Sequence, residues 1–214
     1  MAYDLEEQEQ LANLKAAWKQ YGNMATWVLI IGLGGYAGWN FWSSQQLKTS
    51  AQASVLFEGL NKAVVSKDNA QVMRIADDLK QKFPGSHYTE MASLLAAKSA
   101  NDAGDLKRAK EILQAITVDT KNEEVKAIAK IRLSGLLLDE KLTDQAMTVL
   151  GGDFPAEFAA DQADRKGDVF VAQGKIDEAR KAYQLALEKS KEKAAAKTLI
   201  QIKLDAIGGV SEKN

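Results

Sequence analysis

The stretch RKGDVFVAQGKIDEARKAYQLAL, residues 165–187, decides the fold. Gly167, Ala179, Tyr183 and Ala186 follow one another at intervals of 12, 4 and 3 residues. That spacing suits two antiparallel helices that cross closely. A small residue on the first helix admits the second, and the aromatic fills the groove toward the next pair. Gly174 falls where the chain turns between the two helices, and Asp177 stands close enough to the start of the second to be a candidate cap.

The pattern resembles the tetratricopeptide consensus, and it recurs upstream with weaker residues. Leu133 and Ser134 precede Ala146 and Leu150; Ala96 and Ala97 precede Ala109 and Leu113; Leu60 precedes Val72 and Ala76. The anchors at 72, 109, 146 and 179 are spaced 37, 37 and 33 residues, against an ideal repeat of about 34, so longer loops are expected in the first two periods. Turn signals fall at Lys67-Asp-Asn, Pro84-Gly85, residues 101–104, Asp139-Glu-Lys, Gly151-Gly152 and Gln173-Gly174-Lys. No strand-like alternation persists, and Ala, Leu, Lys, Glu and Gln, all strong helix formers, dominate. An α-solenoid is the expected architecture, with an irregular helical bundle as the alternative. Residues 191–207 form a further helix whose apolar positions Ala195, Leu199, Ile202 and Ile207 are expected to cap the last repeat, with Gly208-Gly209 ending it and a frayed polar tail beyond.

A charge-free window of 28 residues, 20–47, separates this array from the N-terminus. Its apolar heart is MATWVLIIGLGGYAGWNFW, residues 24–42. Nineteen helical residues rise about 28 Å, close to a bilayer's hydrocarbon core of about 30 Å. Trp27 marks one end, and Trp39, Phe41 and Trp42 the other, where half-wet aromatic rings favour a membrane interface. A buried core helix and a cleaved signal peptide are the alternatives. The run is longer than a signal-peptide core, starts far from Met1 and ends in bulky aromatics, so an uncleaved anchor is expected. Lys15 and Lys19 precede it and only Lys48 closely follows, a slight bias that places the N-terminus in the cytoplasm. Within the span, Gly32-Leu-Gly34-Gly-Tyr-Ala37 matches a dinucleotide fingerprint literally but lacks the strand, helix and acid that pattern requires. Gly34 and Gly38 match the small-xxx-small spacing that lets membrane helices approach closely, although glycine is simply common in such helices. Leu11, Leu14 and Trp18 give the preceding residues one apolar helical face.

The fold class expected is therefore all-α: a single N-terminal transmembrane helix followed by a tetratricopeptide-like α-solenoid. The expected division is a cytoplasmic segment 1–22, a transmembrane helix 23–43 and a periplasmic repeat domain 44–214.

Little chemistry is available. The chain has 28 Lys and Arg against 29 Asp and Glu, so no basic excess exists to neutralise phosphates, and no nucleic-acid partner is expected. Without cysteine, thiol catalysis, iron–sulfur clusters and Cys-ligated zinc are excluded. The single histidine, His87, stands near a helix start in Pro-Gly-Ser-His-Tyr. No GxSxG, HExxH or P-loop occurs. The expectation is a non-enzyme with no catalytic residues, no cofactor and no metal.

A solenoid instead offers a groove lined by the first helix of each pair. The inward candidates are Met91, Leu94, Lys98, Ile128, Ile131 and Leu138, with Asp161, Asp164 and Asp168 in the last repeat. Such a groove would be apolar in the middle and acidic at one end, fit for a partner helix or an unfolded segment; several of these residues are equally readable as core.

The order of motifs as a whole resembles the YfgM family of ancillary SecYEG translocon subunits from Gram-negative bacteria. LANLKAAWKQYGN comes first, then a Gly- and Trp-rich span ending GWNFW. FPGSHYTEMASLLAAK, AIAKIRLSGLLLD and ADRKGDVFVAQGKIDEARKAYQLAL follow. The repeat part alone is less specific, since the cell-division coordinator CpoB has a similar domain. The resemblance implies an inner-membrane anchor and a periplasmic repeat domain. It also implies association with the SecYEG translocon and the membrane-anchored chaperone PpiD, and a part in passing nascent secretory polypeptides to periplasmic chaperones. It implies no catalytic residues. The alternatives are a periplasmic scaffold for cell-division or envelope assembly, and a membrane-tethered enzyme or enzyme regulator.

Overall fold

The structure is a computed structural model, and it describes residues 2–190 and 194–209. The expected frayed tail beyond 209 lies outside the described residues. No strand occurs among them. The chain divides into two compact units, Met1–Gln52 and Ala53–Asn214. The first helix, α1, runs Ala2–Val65.

Over residues 26–42 the helix of the first unit carries apolar side chains on every side. Val28, Leu29, Ile30, Ile31, Leu33, Trp39, Phe41 and Trp42 are all exposed. Gly32, Gly34, Gly35 and Gly38 have nothing within 4 Å of where a Cβ would sit. Gly22 is the exception, because the Trp18 ring lies 3.0 Å from that point. Among the described residues no helix is long and apolar enough to cross a membrane. The expected span over 23–43 falls short because its four glycines, Trp27, Tyr36, Trp39 and Asn40 dilute the Val-Leu-Ile core.

The second unit opens with the last residues of α1. It continues through α2 (Asn69–Lys82), α3 (His87–Asp102), α4 (Leu106–Asp119), α5 (Glu123–Asp139) and α6 (Thr143–Val149). A 3₁₀ turn, Ala156–Phe158, leads to α7 (Ala159–Ala172), α8 (Ile176–Lys189) and α9 (Ala194–Ala206). The end of α1 pairs with α2, α3 with α4, α5 with α6 and α7 with α8; α9 closes the stack. These are the four repeats expected from the spacing. The anchors Val72, Ala109, Ala146 and Ala179 are all fully buried. So are their partners on the preceding helices, Leu60, Ala97, Ser134 and Gly167. The buried residues gather in three clusters along the stack, the first spanning α1 to α3, the second α3 to α7 and the third α7 to α9, because each pair covers the apolar face of the next.

Every turn within a pair has one construction. Lys67, Gly104, Lys141 and Gly174 adopt left-handed φ of 57°, 81°, 62° and 73°. The following amide closes a six-residue hydrogen-bonded ring onto the helix just ended: Asp68 N to Ala63 O, Asp105 N to Ala100 O, Leu142 N to Leu137 O and Lys175 N to Phe170 O. This is the Schellman geometry that satisfies otherwise orphaned carbonyls. The residue that closes the ring is also the N-cap of the next helix. Asp68 and Asp105 accept from the amides of Gln71 and Arg108, whereas Leu142 and Lys175 provide no side-chain cap. The cap expected at Asp177 is thus displaced by two residues; Asp177 lies in the first turn of α8 and pairs with Arg180 at 2.8 Å.

Two further expectations are corrected. The 37-residue periods do not come from longer loops, since only residues 83–86 and 120–122 separate the pairs. The extra length sits in the helices, chiefly the second of each pair: α2 and α4 have 14 residues each against 7 in α6, and α3 and α5 have 16 and 17 against 14 in α7. And α9 does not bury Leu199 and Ile202. It turns Ile200 and Leu204 into the core and leaves the other two 55% and 59% exposed.

Candidate interaction surfaces

The first-helix residues expected to line a groove meet different fates. Leu94 is core, 3% exposed. Met91, Ile128 and Leu138 are half-buried against the central cluster, and Ile131 is half-buried beside them in sequence. Lys98 is exposed and pairs with Asp102 one turn on. Of this set, Met91, Ile128, Ile131 and Leu138 retain surface on the first helices of the middle repeats. The α3–α5 packing beneath them is held by Arg132, whose Nη1 donates to Leu94 O at 3.0 Å.

The acidic end belongs to an ion-pair network. Lys203 on α9 lies 2.8 Å from Asp164 Oδ2 and 2.8 Å from Asp168 Oδ1. Arg165 Nη1 donates to Asp168 at 3.1 Å, and the Tyr183 hydroxyl donates to Asp168 Oδ1 at 2.8 Å. The Lys203 ammonium also lies 5.7 Å from the Tyr183 ring centroid, within cation–π range. Burial raises the Asp164 pKa above its ordinary value, and the Lys203 hydrogen bond and charge oppose that rise. Burial, and then the Asp168 charge and hydrogen bond, push the Tyr183 hydroxyl up as well. The arrangement uses Asp164 and Asp168 to clamp α9 onto α7 and α8. Asp161, one turn earlier on α7, is half-buried and also has an interaction partner.

A cleft that the first-helix count did not anticipate lies between the second helices α2 and α4. Its volume is ≈ 670 Å³. Met73 and Ala76 from α2, Ala96 from α3, and Ile112, Ala115 and Ile116 from α4 provide apolar lining. Charges stand over it: Lys80 lies 3.4 Å from Asp119, and Arg108 lies 3.9 Å from Asp77 and 3.6 Å from Glu111. At one end Glu90 accepts from Thr120 Oγ1 and Asn122 Nδ2, fixing the loop before α5. None of the residues expected for a groove lines this cleft. The sequence signal for it was the second apolar row on each second helix: Met73 beside the anchor Val72, and Ile112 and Ala115 beside Leu113. Assigning the second helices to core alone passed over it.

His87 is exposed, 3.8 Å from Glu90. Among the described residues no group of three or more His, Cys, Asp or Glu side chains is placed to hold a metal ion.

Paired helices with a shared turn, buried small residues at each crossing and a closing helix define a tetratricopeptide-type repeat protein. Residues 15–209 match the family described as tetratricopeptide repeat-like domain, and the chain belongs to that family. It is similar to proteins named ancillary SecYEG translocon subunit. The Neisseria gonorrhoeae protein is 34% identical over 212 residues, 97% of this chain and 100% of the relative. The Haemophilus influenzae protein is 29% identical over 186 residues, 87% of this chain and 91% of the relative. The Escherichia coli protein is 27% identical over 199 residues, 93% and 95% of the two chains.

Proposed function

We propose that this chain is a membrane-anchored, non-catalytic interaction protein of the SecYEG translocon, one that helps pass translocated polypeptides to periplasmic chaperones. The observation that carries the reading is likeness over nearly the full length of proteins named as translocon subunits, N-terminal helix included. A likeness confined to the repeats would speak only for a binding scaffold.

Residues 1–22 lie in the cytoplasm, 23–43 in the inner membrane and 44–214 in the periplasm. The apolar helix supports the anchor because its Val, Leu, Ile and aromatic side chains are exposed all round, and such a helix requires lipid or protein on every side. Its hydropathy is marginal for a span standing alone. Packing against another membrane helix makes up the difference, and Gly34 and Gly38, open on their own side, permit the close backbone approach.

The repeat domain then stands beside the channel exit. Half-buried Met91, Ile128, Ile131 and Leu138 on the first helices, and the apolar cleft between α2 and α4, are surfaces on which an emerging segment or a PpiD-like chaperone docks. Tethering raises the local concentration of these surfaces, so weak contacts suffice.

The test places a photo-crosslinking residue at Ile131 or Ile112 in intact membranes and identifies what is captured. Translocon subunits, a PpiD-like chaperone or secretory chains are the expected products. Capture of only division or wall-synthesis proteins would transfer the chain to the scaffold reading. A periplasmic-activity reporter fused after Asn214 is expected to be active; an inactive one would reverse the orientation.

A further inference from the structure

A terminal helix of a solenoid ordinarily presents a polar outer face, because nothing stacks on it. In α9 the inner face carries Ile200 and Leu204, 4% and 3% exposed. Its outer face carries Ala195, Leu199, Ile202 and Ala206, all exposed. These four are spaced 4, 3 and 4 residues apart, the stripe of a two-helix seam. The helix is therefore apolar on two sides, and the rotation that leaves Leu199 and Ile202 outside is held by Lys203 on Asp164 and Asp168.

The stripe is symmetric about its midpoint. Two large side chains occupy the centre and an alanine stands at each end, so reversing the helix reproduces the pattern. We infer that the outer face of α9 packs antiparallel on α9 of a second copy of this chain, about a two-fold axis passing between Ile200 and Gln201. In that register Leu199 meets Ile202 of the second copy, and Ala195 meets Ala206, where small residues let the ends close. The flanking charges accept it: Lys203 comes opposite Ala196 and Asp205 opposite Thr198, so no like charges meet. Self-complementarity of this kind is what a two-fold contact requires, whereas a foreign helix would place no such constraint on the order of large and small residues. One pair of short helices buries less than the roughly 1,600 Å² of a standard stable interface, so the association is weak and concentration-dependent.

The chain has no cysteine, so an introduced one reports alone. The full-length Ile202→Cys chain, in the membranes where it is expressed, is treated with a short bismaleimide. The expected result is a covalent dimer at least tenfold above that from Leu185→Cys, an exposed position on α8. Adding Leu199→Glu to Ile202→Cys is expected to lower the yield at least tenfold with helix content and melting unchanged; Leu199→Ala replaces it if the acid disturbs folding. Equal yields from positions 202 and 185, or linkage of position 202 to a different protein only, would overturn the inference. Light scattering on the purified wild-type chain gives an independent reading. Its mass is expected to rise toward twice the monomer with concentration, and one monomer mass throughout would also overturn it.

Discussion

Tyr183 packs against Gly167 where α7 and α8 cross, so that a methyl group added to the glycine would stand 2.5 Å from the tyrosine Cδ1. The ring is 3% exposed, and its hydroxyl is held by Asp168. The crossing therefore has neither space for a Cβ nor an easy route for the ring to leave. Gly167→Ala is expected to lower the unfolding free energy by about 1–3 kcal/mol, the usual cost of overpacking. Urea denaturation checks this. Combining it with Tyr183→Leu should cost less than the sum of the two single changes, because the residues share one contact.

Lys67 and Lys141 occupy the left-handed turn position that Gly104 and Gly174 fill in the other two pairs. A side chain in that conformation is crowded against its own backbone, and glycine is not. Lys67→Gly and Lys141→Gly are each expected to stabilise the repeat domain by about 0.5–1 kcal/mol. Gly104→Ala and Gly174→Ala are expected to destabilise by a similar or larger amount. Thermal melting of the four variants measures the reversal of sign, and a uniform sign would refute the shared turn.

Asp68 and Asp105 cap their helices, and Lys175, in the equivalent place, leaves the first amides of α8 uncapped by any side chain. Lys175→Asp supplies the missing acceptor and removes a cation from the positive end of the helix. A gain of about 1 kcal/mol is expected in denaturant unfolding. Asp105→Ala should lose about as much.

Asp164 titrates above its ordinary value because burial disfavours its charged form more than Lys203 favours it. In the unfolded chain it titrates at the ordinary carboxylate value. The folded state thus binds this proton more tightly. The group's contribution to stability is fully present below the unfolded pKa and is lost as pH rises through the folded pKa. Asp164→Asn is expected to remove that negative slope of unfolding free energy with pH across the acid range, as measured by denaturant unfolding at several pH values. A slope identical to wild type would show that Asp164 does not carry it.

The repeat architecture was legible in the sequence because each helix crossing admits only certain volumes. Val72, Ala109, Ala146 and Ala179 announced themselves by spacing, and all four are buried. The turns at Gly104 and Gly174 were equally plain, since glycine marks the left-handed conformation. Absence of cysteine and of the usual catalytic motifs bounded the chemistry by composition alone. Rotation and pairing between helices were decided only in three dimensions. Periodicity on α9 offered two apolar stripes, and the one through Leu199 and Ile202 looked like core. The reach of Lys203 to Asp164 and Asp168 turned the other one inward. The same network converted three apparent groove acids into at least two clamp residues, because a carboxylate's partner lies on a helix 35 and 39 residues away. The cleft between α2 and α4 likewise exists only once α3 sets their separation. Local spacing determines which residues must be small or buried; which faces meet depends on side chains distant in sequence, and those are brought together only by the fold.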